Sequence, residues 1–167
     1  MRKAAILGLG KRGQFWLETA LRSGWKVSGF DPDASALATA HRGEWQREHT
    51  ISGTVKDAEW IVCCLPERFE LMQKVIQRAQ AEAPSASVIA VDTRFPVEDV
   101  QTCATRHGQL VQVTYHEQDG FALSVTRQNM PETKETAKAT LAEFAATLSL
   151  EPVVEISEHA QAGAESA

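Results

Sequence analysis

Short, wholly apolar runs alternate along this chain with longer stretches whose apolar side chains recur every three or four positions. The first run, 4–7, is Ala4-Ala5-Ile6-Leu7, uniformly apolar, and predicts a strand buried on both faces. Residues 14–23 carry Phe15, Trp16, Leu17, Ala20 and Leu21 at helical spacing. A second strand is expected at 26–31, a short helix at 34–42 and a short third strand at 49–52. A helical turn over 54–58 leads into a strongly apolar strand at 60–65, which Pro66 ends. The next helix, 68–83, lines up Phe69, Leu71, Met72, Val75, Ile76 and Ala79 on one face. A strand at 87–92, a helix at 97–106, strands at 110–115 and 121–126, a long helix at 132–148 and a last strand at 152–156 complete the series. Residues 157–167 are small and polar with no period, and are expected to form a disordered tail.

Strands and helices alternating at this spacing predict an α/β fold. The sheet should be doubly wound and mostly parallel, of Rossmann type, in a single domain over 1–156. In such a sheet the loops after the first, fourth and fifth strands gather at the carboxyl edge, beside the point where the strand order switches, and ligands bind there. Leu65-Pro66-Glu67 and Asp92-Thr93-Arg94 therefore become candidate walls of a site.

The turn after the first strand is Gly8-Leu9-Gly10-Lys11-Arg12-Gly13, and the second strand ends at Asp31. Strand, glycine turn, helix, strand and acid follow one another in the order a dinucleotide site requires. Gly8 permits the tight turn, Gly10 lets backbone amides approach a pyrophosphate, and Gly13 lets the helix pack closely on the strand. The free N–H groups and dipole at the helix start favour the phosphate charge. Asp31 is placed to accept hydrogen bonds from ribose hydroxyls and would repel a 2′-phosphate, and Pro32 follows it, which favours NAD over NADP. Lys11 and Arg12 either touch the phosphates or stand in solvent. The candidate cofactor residues are thus Gly8, Leu9, Gly10, Lys11, Arg12, Gly13 and Asp31, with Leu65, Pro66 and Glu67 on the nicotinamide side.

Composition narrows the partners. At 167 residues, 43% hydrophobic and 23% charged, the chain is an ordinary globular sequence with room for a substantial core. A net charge of −5 argues against nucleic acid or an anionic membrane as main partner. No apolar run approaches a membrane span, and Met1-Arg2-Lys3 is too short a lead for a signal peptide, so a cytoplasmic protein is expected. Three cysteines do not suggest a disulfide framework; Cys63 and Cys64 fall on the buried fourth strand and read as core thiols. The five histidines show no metal-ligand spacing, and no metal site is assigned. Trp45, in the polar stretch before the third strand, reads as a packing anchor rather than a platform for adenine.

Over residues 3–156 this arrangement resembles the amino-terminal NAD-binding domain of the 3-hydroxyacyl-CoA dehydrogenases and, more loosely, the hydroxyisobutyrate and prephenate dehydrogenases. The resemblance rests on the glycine turn, Asp31, Asp57-Ala58-Glu59-Trp60-Ile61-Val62, Leu65-Pro66-Glu67 and Ala90-Val91-Asp92-Thr93. The stretches Thr140-Leu141-Ala142-Glu143-Phe144 and Pro152-Val153-Val154 match the family's closing helix and strand. It implies an NAD-dependent oxidoreductase of small hydroxy acids or acyl thioesters. Two departures, one in the site residues and one in length, qualify that. The family's catalytic histidine, at the end of the sixth strand, is replaced by Thr114, and its partner acid, by the same register, falls near Thr126, where there is none. The Asn-Thr-Ser-Ser run after strand five becomes Asp92-Thr93-Arg94-Phe95. The family's helical second domain also has no counterpart here, so a homodimer or partner subunit is expected to close the groove.

If the chain is catalytic, His116 is the candidate base, because imidazole titrates near neutrality. Arg94 would anchor a substrate carboxylate or phosphate, and Thr93 would supply a hydrogen bond. The bland readings are a polar loop histidine and a solvated arginine. The competing function is a non-catalytic NAD-binding module, a redox sensor or regulatory subunit.

Overall fold

Two-residue periodicity divides the central strands between two cores. Ala4 and Ile6, Trp60 and Val62, Val88 and Ala90, and Val111 and Val113 are buried in one layer; Ala5 and Leu7, Ile61 and Cys63, and Ile89 and Val91 are buried in the other. A sheet so covered on both faces is what uniformly apolar strands require. The computed structural model describes residues 2–33, 35, 44–148 and 154–159.

The strands are β1 (Lys3–Leu7), β2 (Lys26–Phe30), β3 (Gln46–Arg47), β4 (Trp60–Cys63), β5 (Val88–Asp92), β6 (Leu110–His116), β7 (Gly120–Thr126) and β8 (Val154–His159). The helices are α1 (Lys11–Arg22), α2 (Ile51–Val55), α3 (Phe69–Glu82), α4 (Val97–Gln101) and α5 (Pro131–Thr147). All eight strands form one sheet in the order β3-β2-β1-β4-β5-β6-β7-β8. Strands β1 to β6 are mutually parallel, β7 runs antiparallel to β6, and β8 lies parallel to β7. The order reverses between β1 and β4, so the carboxyl ends of these neighbours open a crevice. The doubly wound, mostly parallel α/β sheet expected from the sequence is therefore the fold observed.

Helices α1 and α5 cover one face with an aromatic cluster. Phe144 of α5 lies within 6.5 Å of the Trp16, Trp25 and Trp60 rings, centroid to centroid. The other face is covered by Val55 of α2, Met72, Ile76 and Ala79 of α3 and Val100 of α4. At the amino edge a buried amide network replaces apolar packing. Gln101 accepts from the Thr126 hydroxyl at 2.7 Å and donates to Asn129 at 3.1 Å, and Asn129 donates to the Leu110 carbonyl at 2.7 Å. Each of these buried groups is satisfied, which such groups need to be.

Several expected boundaries move. The third strand expected at 49–52 is not a strand. Thr50 instead caps α2, its hydroxyl accepting from the Gly53 N–H at 2.9 Å, and the short β3 lies upstream at Gln46–Arg47. A Thr followed by Ile and Ser carries β propensity, but here the Thr50 side chain starts a helix. The helix expected over 97–106 ends at Gln101. The last strand runs to His159, past the boundary drawn at 156. The helix expected over 34–42 lies outside the described residues apart from Ser35, as do residues 160–167 of the expected tail. Trp45 is half-buried and packs on the core beside Gly29, as expected of an anchor. Among the described residues no helix is long and apolar enough to cross a membrane.

Phe144→Ala would open a void between three indoles, with an expected loss of about 3–5 kcal/mol measured by urea denaturation. A loss under 1 kcal/mol would show that the aromatic cluster does not hold α5 on the sheet.

Candidate functional site

The approach of α1 to the sheet determines the geometry of the first turn. A Cβ on Gly13 would sit 1.7 Å from the Gly8 carbonyl oxygen, and one on Gly8, at φ +100°, would sit 2.2 Å from the Cys64 carbonyl oxygen. Both positions are closed to any side chain. Gly10 is different, because an added Cβ there meets nothing within 4 Å. Gly10 opens α1 with no side chain capping it, so the helix start keeps free donors beside unfilled space. That is the cradle a pyrophosphate fills.

Asp31 completes this part. Its Oδ2 accepts the Leu9 N–H at 2.7 Å and its Oδ1 the Asp33 N–H at 2.8 Å. The two bonds fix the carboxylate at the end of β2, and each oxygen keeps a lone pair for a ribose hydroxyl. Gly8, Gly10, Lys11, Arg12, Gly13, Asp31, Leu65 and Pro66 all line one groove of about 830 Å³ along the carboxyl ends of β1, β2 and β4. Leu71, Val75 and Ile51 give that groove an apolar flank which sequence reasoning had not singled out, because their spacing reads equally well as core. These residues fit a bound NAD. Leu9 differs from expectation: its side chain is fully buried in the core and its amide is already held by Asp31. Cys64 also borders the groove, and burial, with the nearby Asp92 charge, raises its thiol well above the ordinary value. It stays protonated at neutral pH and is no nucleophile.

A second cavity, of about 650 Å³, lies past Lys11 and Arg12, over the ends of β5 and β6. It brings together Glu67, Asp92, Thr93, Arg94 and His116, which the sequence had placed at the carboxyl edge, with Thr114 at the position of the family's histidine, and adds Phe15 and Tyr115. Two carboxylates here are already engaged. Glu67 accepts the Thr93 hydroxyl at 2.6 Å and the Arg94 backbone N–H at 3.1 Å. Asp92 accepts the Trp16 indole N–H at 2.8 Å and the Arg12 guanidinium at 3.0 Å. Thr93 is fully buried and also accepts the Phe95 N–H at 3.2 Å, so it orients Glu67 rather than facing the cavity with a free hydroxyl. The Arg94 guanidinium, the Lys11 ammonium and the His116 imidazole have no partner among the described residues. Phe15 and Tyr115 stack at 4.3 Å and form an apolar wall.

His116 ends β6 and pairs across the hairpin with Gly120, while Thr114 pairs with Ala122. Thr126 lies at the other end of β7, in the buried amide network with Gln101 and Asn129. The register that placed a partner acid near Thr126 is therefore corrected. That position is at the opposite edge of the sheet from the cavity, and the antiparallel turn of β7 is the reason.

No protein-family model matches the chain. It is 28% identical to an L-carnitine dehydrogenase of Mesorhizobium japonicum, over 92% of this chain and 48% of that protein. It is 29% identical to an L-carnitine dehydrogenase of Streptomyces griseus, over 66% of this chain and 39% of that protein. The chain spans about half the length, or less, of these curated relatives. Among solved structures it superposes on a diketoreductase with a TM-score of 0.80 at 16% identity, over 94% of this chain and 64% of the other. It superposes on a 3-hydroxyacyl-CoA dehydrogenase from Archaeoglobus fulgidus with a TM-score of 0.78 at 15% identity, over 95% and 57%. The fold likeness and the relatives bear out the resemblance to a dehydrogenase NAD-binding domain.

The glycines should separate by role. Gly10→Val is expected to leave the melting temperature unchanged and abolish NADH binding, whereas Gly13→Ala should cost about 3 kcal/mol of stability. Asp31→Asn keeps an acceptor for Leu9 but removes the charge, and should narrow the preference for NADH over NADPH about tenfold. Calorimetry and thermal melts together check all three.

Proposed function

We propose that this chain is the nucleotide-binding part of an NAD-dependent dehydrogenase acting on a small hydroxy acid or its acyl thioester. The observation that carries this is the junction of the two cavities. A groove ending in a ribose-binding acid and a phosphate cradle continues, over Lys11 and Arg12, into a second cavity bearing an unpartnered imidazole and guanidinium. NAD supplies the hydride acceptor when bound. The chain's own residues then divide the remaining work. Asp31 and the start of α1 hold the adenosine and pyrophosphate. Arg94 holds the substrate's anionic group, a role supported by its lack of a side-chain partner among the described residues. His116 takes the proton from the substrate hydroxyl. Thr93 fixes Glu67 at the wall of the site, and Leu65 and Pro66 border the cofactor's path. The relatives' name offers L-carnitine as one candidate substrate.

Every residue lining the second cavity comes from α1 or the loops and strand ends at the carboxyl edge, which leaves one side without a wall among the described residues. That supports a homodimer or partner subunit as the source of the missing wall. The described thiols are free, in keeping with a cytoplasmic protein. The second reading, an NAD-binding sensor or regulatory subunit, is favoured by one observation: the His116 imidazole has no carboxylate to orient it among the described residues.

His116→Ala should lower kcat by about two to four orders of magnitude with NADH affinity preserved. Arg94→Gln should raise KM for an acid substrate about tenfold with kcat less affected. Stopped-flow and steady-state assays with hydroxy acids, acyl thioesters and L-carnitine check these expectations. NADH binding without turnover of any of them would establish the second reading, and a strict monomer in light scattering at high micromolar concentration would remove the homodimer.

A further inference from the structure

Lys11 and Arg12 are consecutive, and both border both cavities, yet their side chains are held very differently. Lys11 has no partner among the described residues. The Arg12 guanidinium is fixed by three hydrogen bonds. Its Nη1 donates to the Asp92 Oδ1 at 3.0 Å and to the Asp92 carbonyl at 3.1 Å, and its Nη2 donates to the Leu65 carbonyl at 3.2 Å. Glu67 Oε1 lies 3.8 Å from Nη1. One planar fork thus ties the start of α1 to the ends of both β4 and β5. Lysine, with its three donors on one atom, lacks the planar spread that reaches both strand ends here.

This geometry removes Arg12 from the pyrophosphate. Its donors are aimed past the glycine turn, along the sheet edge, at acceptors that separate the groove from the second cavity. Asp92 locks it there from the core side. That carboxylate is 7% exposed as a residue and shares its charge between Arg12 and the Trp16 indole. Pulling the guanidinium away toward a phosphate would leave a nearly buried carboxylate with only a neutral donor, a costly exchange.

We propose that Arg12 is a positioning residue for the nicotinamide half of the cofactor: it forms the sill between groove and cavity, and leaves the phosphates to Lys11 and the helix amides. The inference rests on the NAD reading above and deepens it. Because Arg12 holds the ends of β4 and β5 at fixed spacing, the ring that crosses the sill meets one defined surface rather than a pair of mobile loops. The adenosine end, held by Asp31 and Gly10, is indifferent to it.

The test compares two ligands that differ only beyond the sill. NADH and ADP-ribose share adenosine, pyrophosphate and the second ribose; NADH alone carries the nicotinamide. Arg12→Met and the pair Arg12→Met with Asp92→Asn are measured by calorimetry, with thermal melts and NADH fluorescence alongside. The double variant removes both charges and keeps an acceptor for Trp16, so it remains informative if the single variant folds poorly. The expected result is a loss of about tenfold or more in NADH affinity, ADP-ribose affinity within twofold of wild type, and bound-NADH emission moved toward that of free NADH. Parallel losses for both ligands would place Arg12 on the phosphates and overturn the proposal. Unchanged affinity for both, or a lowered melting temperature with an unchanged NADH to ADP-ribose ratio, would make Arg12 purely structural and overturn it as well. If wild-type protein binds neither ligand, the NAD reading itself falls, and this inference falls with it.

Discussion

The carboxyl edge of this sheet depends on how closely α1 can approach β1 and β4. Gly13 rests against the Gly8 carbonyl and Gly8 against the Cys64 carbonyl, distances at which no side chain has room. Because the helix starts so near the strands, its first-turn amides lie over the crevice where the strand order reverses. Move the helix out by the width of one methyl group and the amides would no longer meet a phosphate held at Gly10. A contact between three backbones therefore sets the position of a charge-binding surface.

The same approach brings α1 side chains across the sheet edge. Trp16 lies within the aromatic core, yet its indole N–H reaches Asp92, whose other oxygen takes Arg12. Asp92 thereby connects the core to the site. A carboxylate this buried must be paired and hydrogen-bonded, and both its partners come from α1. Packing of the helix and order at the ends of β4 and β5 are in this sense one event. The stacked Phe15 and Tyr115 extend that event to β6, which carries His116.

The nucleotide half of the proposed site was legible because backbone geometry makes it. Gly8, Gly10, Gly13 and Asp31 are local to one strand-turn-helix-strand unit, and each residue type answers a steric or hydrogen-bonding demand visible in the sequence. The sheet was legible for the same reason, since apolar runs and helical periods report burial directly. What failed was local. The stretch at 49–52 reads as a strand until the Thr50 hydroxyl is seen capping α2, and nothing in its hydropathy distinguishes the two. Leu9 was grouped with the turn, although its side chain points into the core.

The proposed catalytic half resists such reading because its residues come from four separated segments. Which hydroxyl, carboxylate and guanidinium pair with one another is decided only when β4, β5 and β6 are side by side. Glu67 and Thr93 illustrate this: each was a candidate to face a ligand, and together they satisfy one another. The groups left over, Arg94, Lys11 and His116, are informative by subtraction. A cavity whose carboxylates are internally engaged and whose remaining charged side chains are cationic presents an electrostatic surface suited to an anion. The fold leaves that property open, since the same sheet edge can carry many chemistries. It follows from the pairing of Arg12 with Asp92 and of Glu67 with Thr93 and the Arg94 amide, and so the charge that the second cavity presents depends on pairs of residues that need not touch a ligand.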